Sequence, residues 1–208
     1  MFRNRIIKIT FIPLIVIALS IVIYVLSNPL DNSGHIGDFY SSNPDAGPDA
    51  ELWGRGGSYF PWQSNQPENS QLPELNIFYR TFGNSDNPAI VMIHGWPTSS
   101  YDFKELISEL EKEYYVAVID TPGYGFSDKP KGGYRYSIPD DARLLDYFIR
   151  EVLDLSNFTL LTHDKGDSVG FAFLTLYQQA DSPAYQIDHH VILNGGIYLP
   201  LAELSAAQ

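Results

Sequence analysis

The chain contains no cysteine. A thiol nucleophile, a thiolate metal site and a disulfide framework are excluded together. Positive charge is also scarce: 13 Lys and Arg stand against 25 Asp and Glu, a formal net charge of −12. Three of the cations, Arg3, Arg5 and Lys8, lie in the first 30 residues, which hold no acid. Beyond them, ten basic groups face 25 acidic ones, a net of −15. Such a body repels phosphate, so no nucleic-acid partner is expected. The sequence shows no internal repeat and no phosphate loop. "DTPGYGFSDKP" (Asp120 to Pro130) is glycine-rich, but it lacks a G-K-[ST] ending and does not fit G-x-G-x-x-G. No cofactor and no metal are expected.

What is present suffices for a packed core. The 208 residues are 44% hydrophobic and 14% aromatic, which argues for one domain rather than disorder. The start is of a different character. Residues 1–8 form a basic tip, followed by an uncharged apolar run from Ile9 to Leu26 that is long enough to cross a bilayer as a helix. Cations before the span and acids after it place the tip in the cytoplasm and the body outside, on a single-pass anchor over 9–27. A cleaved secretory signal is the alternative, but no A-x-A-like site follows the run. Residues 28–57, rich in Pro, Gly, Asn, Ser and Asp, read as a linker.

From residue 58 to residue 208 the signals alternate. "SYFPWQ" and "LNIFYRTFG" read as short strands, and "PAIVMIHG", "YYVAVIDT", "FTLLTHD" and "HHVILNGG" as buried parallel strands. Between them, "SSYDFKELISELEKE", "PDDARLLDYFIREVLDL" and "GDSVGFAFLTLYQQA" carry helical spacing. Strands alternating with helices predict a mostly parallel sheet covered on both faces. Sites in such sheets form at the carboxyl ends of the strands. "HGWP", "DTPGYGFSDKP" and "THDKGD" all fall at that edge.

In "LLTHDKGDSVGFAF" a buried strand turns into a helix through small residues, with Asp164 at the tip. That is the shape of a nucleophile elbow, with aspartate in place of the usual serine and Thr162 in place of the first glycine. A carboxylate at such a tip attacks an electrophilic carbon and forms an alkyl-enzyme ester. Asp164 reads equally as a helix N-cap. In the elbow reading, the N–H of Lys165 and the N–H of Trp96 form the oxyanion hole. Gly95 lets the backbone approach, Pro97 fixes the loop, and His94 reads as a structural histidine bonded to nearby backbone.

H-G-x-P-T-S-S-x-D from His94, D-x-x-G-x-G-x-S-D-K-P from Asp120 and H-D-x-G-D from His163 resemble the α/β-hydrolase superfamily. The branch is that of epoxide hydrolases and haloalkane dehalogenases, and the likeness extends to the mesoderm-specific-transcript group through "GFSDKP" and "NGGI". It covers roughly Gly57 to Leu199. The resemblance implies Asp164 as nucleophile, Trp96 and Lys165 as backbone oxyanion donors, and a small apolar electrophile, an epoxide or a related compound, as substrate. His163, Gly166 and Asp167 complete the motif, Asp167 as a cap or as a bond to a neighbouring loop. Many relatives carry Trp where this chain has Lys165. Its ammonium is expected to favour the ionised Asp164, or to pair with it and compete with substrate.

In this fold the order is nucleophile, acid, histidine. After Asp164 only His189 and His190 follow, read as the start of the next strand and rejected as the base. No convincing acid follows "VILNGG". The expectation is the N-terminal part of a longer enzyme, its acid, base and cap beyond Gln208, and no turnover by this chain alone. Its last strand is expected to leave an apolar sheet edge. The alternatives are a non-catalytic hydrolase-fold binding or membrane-organising protein, a haloalkane dehalogenase-like enzyme, and an ester or C–C hydrolase, for which the tip serine is lacking.

Overall fold

Alternation along the strands divides the core into two layers. In β3 (Ala89–Ile93) every residue is buried. Ala89, Val91 and Ile93 join one hydrophobic cluster, and Ile90 and Met92 join the other. A side-chain period of two sends neighbours to opposite faces, so a strand buried on both faces must be apolar throughout. The computed structural model describes residues 47–130 and 132–195.

Six strands form one sheet in the order β1-β2-β4-β3-β5-β6. The others are β1 (Ser58–Trp62), β2 (Leu75–Phe82), β4 (Tyr115–Ile119), β5 (Asn157–His163) and β6 (Gln186–Leu193). β1–β2 and β2–β4 pair antiparallel. β4–β3, β3–β5 and β5–β6 pair parallel. One face is covered by α3 (Ile138–Tyr147), which continues into a π turn at Phe148–Val152, and by α4 (Lys165–Gln179). Ala142, Leu144, Leu145, Phe148, Val169 and Phe173 join that layer. Phe60 stacks on Phe148 there, with ring centroids 5.5 Å apart. The opposite face holds Ile107 of α2 (Lys104–Leu110), together with Phe103 and Trp53. The mostly parallel sheet with helices on both faces matches the predicted α/β-hydrolase architecture.

Two segments differ from the sequence-based expectation. Residues 48–55, placed in the linker 28–57, form helix α1 (Pro48–Arg55). Pro48 opens it, Asp49 and Glu51 sit in its first turn and Arg55 in its last, which suits the helix dipole. Trp53 then docks it: the ring is buried against Phe82 and Tyr101, with the Arg80 guanidinium 4.6 Å from its centroid. The second concerns β6, which was read as a buried strand and forms instead the apolar edge also expected of the last strand. It pairs along β5 as expected, but it is not buried. Val191, Ile192 and Leu193 are exposed, because no further strand flanks β6 among the described residues. The expected anchor, residues 9–27, lies outside the described residues. Among those described, no helix is long and apolar enough to cross a membrane.

Candidate active site

The carboxyl ends of β3, β4 and β5 carry the three motif loops. At the end of β5 the chain turns into α4 through Asp164, whose φ of 52° and ψ of −116° are rarely adopted by a residue with a Cβ. The strained turn puts the side chain at the sheet edge. Asp164 N donates to Leu193 O (3.0 Å), and Asp167 N donates to Asp164 O (3.0 Å). The carboxylate meets two backbone donors at one oxygen. Trp96 N–H donates to Oδ1 at 2.8 Å and Lys165 N–H at 2.5 Å. The structure thus brings together Asp164, Trp96 and Lys165, the three residues that the motifs singled out.

Glycine makes the approach of β3 and β5 possible. A Cβ on Gly95 would lie 2.7 Å from Asp164 Cβ and 3.0 Å from His163 Nδ1. A Cβ on Gly166 would lie 2.6 Å from Ile93 O and 2.9 Å from His94 O. His163 is half-buried beside this contact. The Trp96–Pro97 peptide is cis, and the Trp96 side chain is exposed at the rim.

His94 lies beneath the loop and is buried. Its Nδ1 is 2.8 Å from Gly95 O and its Nε2 accepts Thr121 N–H at 3.1 Å. This pair of contacts requires the neutral Nδ1–H tautomer. Burial holds its pKa below the ordinary histidine value, against an opposing pull from Asp120. The backbone-bonded structural role expected for His94 is the one its contacts describe. Asp120, also buried, ties two loops: Oδ1 accepts Ser100 N–H (2.7 Å) and Oδ2 accepts Phe126 N–H (2.8 Å).

Asp167 is fully buried under the elbow. Its Oδ1 accepts the Thr162 hydroxyl, and Thr162 Oγ1 is 2.9 Å from His190 Nε2. The result is a buried chain in which His190 donates to Thr162 and Thr162 donates to Asp167. Asp167 is therefore not the helix cap; Asp164 is. His190 stands in the middle of β6, not at its start, and is engaged in this chain. Burial raises the Asp167 carboxyl and lowers His190.

The Lys165 ammonium does not do what the sequence suggested. It pairs with Asp141 Oδ2 at 2.7 Å, not with Asp164. It also lies 3.5 Å from Thr121 Oγ1 and 4.6 Å from the Tyr124 ring centroid. Asp141 is buried in the first turn of α3. Burial raises its carboxyl above the ordinary range, and Lys165 pulls it back down. Sequence reasoning singled out none of Asp141, Thr121 and Tyr124 as site residues. Nothing local in the sequence marks them as the partners of a lysine more than 20 positions away.

Comparison with known proteins agrees with this fold. Residues 88–183 match the α/β hydrolase fold family. The mesoderm-specific transcript protein of Mus musculus is 33% identical over 159 residues, 74% of this chain and 44% of that protein. Epoxide hydrolase 1 of Caenorhabditis elegans is 30% identical over 112 residues, 52% of this chain and 27% of that protein. A crystal structure of a probable hydrolytic enzyme from Pseudomonas aeruginosa PAO1 superposes with a TM-score of 0.55 at 21% identity, over 67% of this chain and 41% of that one. The chain belongs to the α/β-hydrolase superfamily. It spans less than half the length of these relatives.

Proposed function

We propose that this chain carries the nucleophile half of a hydrolase site that opens epoxides or related small apolar electrophiles. The convergence of two backbone N–H groups on Asp164 Oδ1 supports this reading most directly. Oδ2 attacks the ring carbon, the C–O bond breaks, and the ring oxygen leaves as an alkoxide that takes up a proton from solvent water. The product is an ester on Asp164. When water adds to that ester, the negative charge of the tetrahedral intermediate falls on the oxygen held by Trp96 N–H and Lys165 N–H. The likeness to a protein named as an epoxide hydrolase favours this substrate class. A haloalkane is less well served, because the ammonium beside Asp164, a candidate halide holder, is occupied by Asp141.

Water activation needs a base, and neither histidine that follows Asp164 supplies one. His190 is bound to Thr162, and His189 precedes it on the same strand. The 208-residue chain is expected to stop at the ester. Incubation with styrene oxide, followed by intact mass and peptide mapping, tests this. The expected result is a stoichiometric adduct on Asp164, none in Asp164→Asn, and no accumulation of diol. A folded wild-type protein without adduct would instead favour the non-catalytic binding role. The apolar run over 9–27 supports a membrane anchor with the domain outside the cytoplasm; association that resists alkaline carbonate extraction tests that part.

A further inference from the structure

We propose that Asp141 is the counterion that holds the Lys165 ammonium off Asp164, leaving the nucleophile free to react. The proposal rests on the reading of Asp164 as nucleophile. Lys165 follows Asp164 directly in the chain, and a flexible four-carbon side chain reaches the preceding carboxylate without difficulty. A lysine at this position therefore threatens the reaction, since a salt bridge on Asp164 would lower its nucleophilicity and occupy the space of the incoming carbon. The structure directs the ammonium elsewhere. Its polar contacts, at 2.7 Å to Asp141 Oδ2 and 3.5 Å to Thr121 Oγ1, and its ring contact with Tyr124, all lie on α3 and the loop after β4.

Asp141 is placed for this task and spared others. The N-cap of α3 is Ser137, whose hydroxyl accepts Asp140 N–H. The neighbouring Asp140 is already engaged by Ser64 and Arg143. Among the described residues the cation on Asp141 is Lys165, and Asp164 makes no ion pair. A buried acid is costly to ionise unless a cation pairs with it, so the two charges justify each other. With the charge of Asp141 removed, the adjacent carboxylate on Asp164 becomes the partner for Lys165.

The test uses the full chain with Asp141→Asn, Lys165→Met and the double substitution. Two readouts are taken: the rate of Asp164 ester formation with styrene oxide, and the titration of the Asp164 carboxyl by ¹³C NMR. His163 and Asp167 flank Asp164, His94 feels the Lys165 charge, and all three are kept in every variant. Asp141→Asn is expected to slow ester formation by about tenfold and to lower the Asp164 midpoint by about one pH unit. Adding Lys165→Met is expected to restore both, because it removes the competing ammonium. Should Asp141→Asn fail to fold, Tyr124→Leu, which removes the ring beside the ammonium, is expected to move both readouts in the same direction by less. Additive losses in the double variant, or an Asp164 titration that Asp141→Asn and Tyr124→Leu leave unmoved, would overturn the proposal. Absence of any wild-type ester sinks the nucleophile reading instead, and the NMR arm still decides the ion pair.

Discussion

At Asp164 a single residue combines two features that a structural role alone does not explain. Its backbone sits at φ 52°, and its carboxylate gathers two N–H groups from different loops. A helix cap needs neither the left-handed backbone nor a donor from a loop 68 positions away. The tip, the two donors and the glycines were legible in the sequence because each belongs to a short motif with its own local geometry. The partner of Lys165 was not, because ion pairing depends on how α3 settles across the sheet edge. The close glycine contacts give a prediction at this scale. Gly95→Ala must push a Cβ into Asp164 and His163, and Gly166→Ala must push one into the backbone of β3. Overpacking of this kind costs about 1–3 kcal/mol. Gly166→Ala is expected at the upper end, since a backbone oxygen yields less than a side chain. Gly95→Ala is expected at the lower end for stability, yet with a loss of at least about tenfold in ester formation. Denaturant melts and adduct rates separate the two; equal effects on both measurements for both variants would contradict the assignment.

Among the elements, periodicity made the sheet legible. β3, β4 and β5 are apolar runs that end at turn residues, and each became a central strand. β6 ends in the apolar run Val191 to Leu193 yet lies exposed, because an apolar segment is buried only by the neighbours it finds. Helix α1 was hidden for a different reason. It is eight residues long and follows a stretch rich in Pro, Gly and Asp, so no helical stripe rises above the linker composition. Its formation depends on tertiary packing at one residue. The Trp53 ring is T-shaped to Tyr101 at 5.4 Å, and Arg80 bonds the Trp53 carbonyl at 3.2 Å. Trp53→Ala is therefore expected to destabilise the domain by about 3 kcal/mol, whereas the exposed Leu52→Ala stays within about 0.5 kcal/mol. A silent Trp53→Ala in urea unfolding would return residues 48–55 to the linker.

For the molecule as a whole, the buried titratable groups set the pH dependence of stability, and they do not all act in one direction. His94 is locked in its neutral tautomer, so its folded pKa lies below the unfolded value of about 6.5. Its contribution is present above pH 6.5 and is lost as pH falls through the folded value. In that window the unfolded chain binds a proton that the fold refuses, a slope of up to about 1.4 kcal/mol per pH unit for each such histidine. His190 acts in the same direction, with Asp167 opposing the burial. Asp141 and Asp167 have the opposite sign: both carboxyls are raised, so the fold takes up their protons first and gains stability as pH falls through their folded values. The histidine loss sets in as pH falls through about 6.5, the unfolded histidine value. The melting temperature should therefore drop between pH 7.5 and 5.5, by roughly 3–6 °C per pH unit at the steepest, and flatten once the two acids protonate. His94→Gln is expected to melt lower at neutral pH, since a ring bonded on both sides is lost, but with a shallower pH slope. If the wild-type and His94→Gln curves run parallel between pH 7.5 and 5.5, the neutral, backbone-bonded histidine is not what makes this fold sensitive to acid.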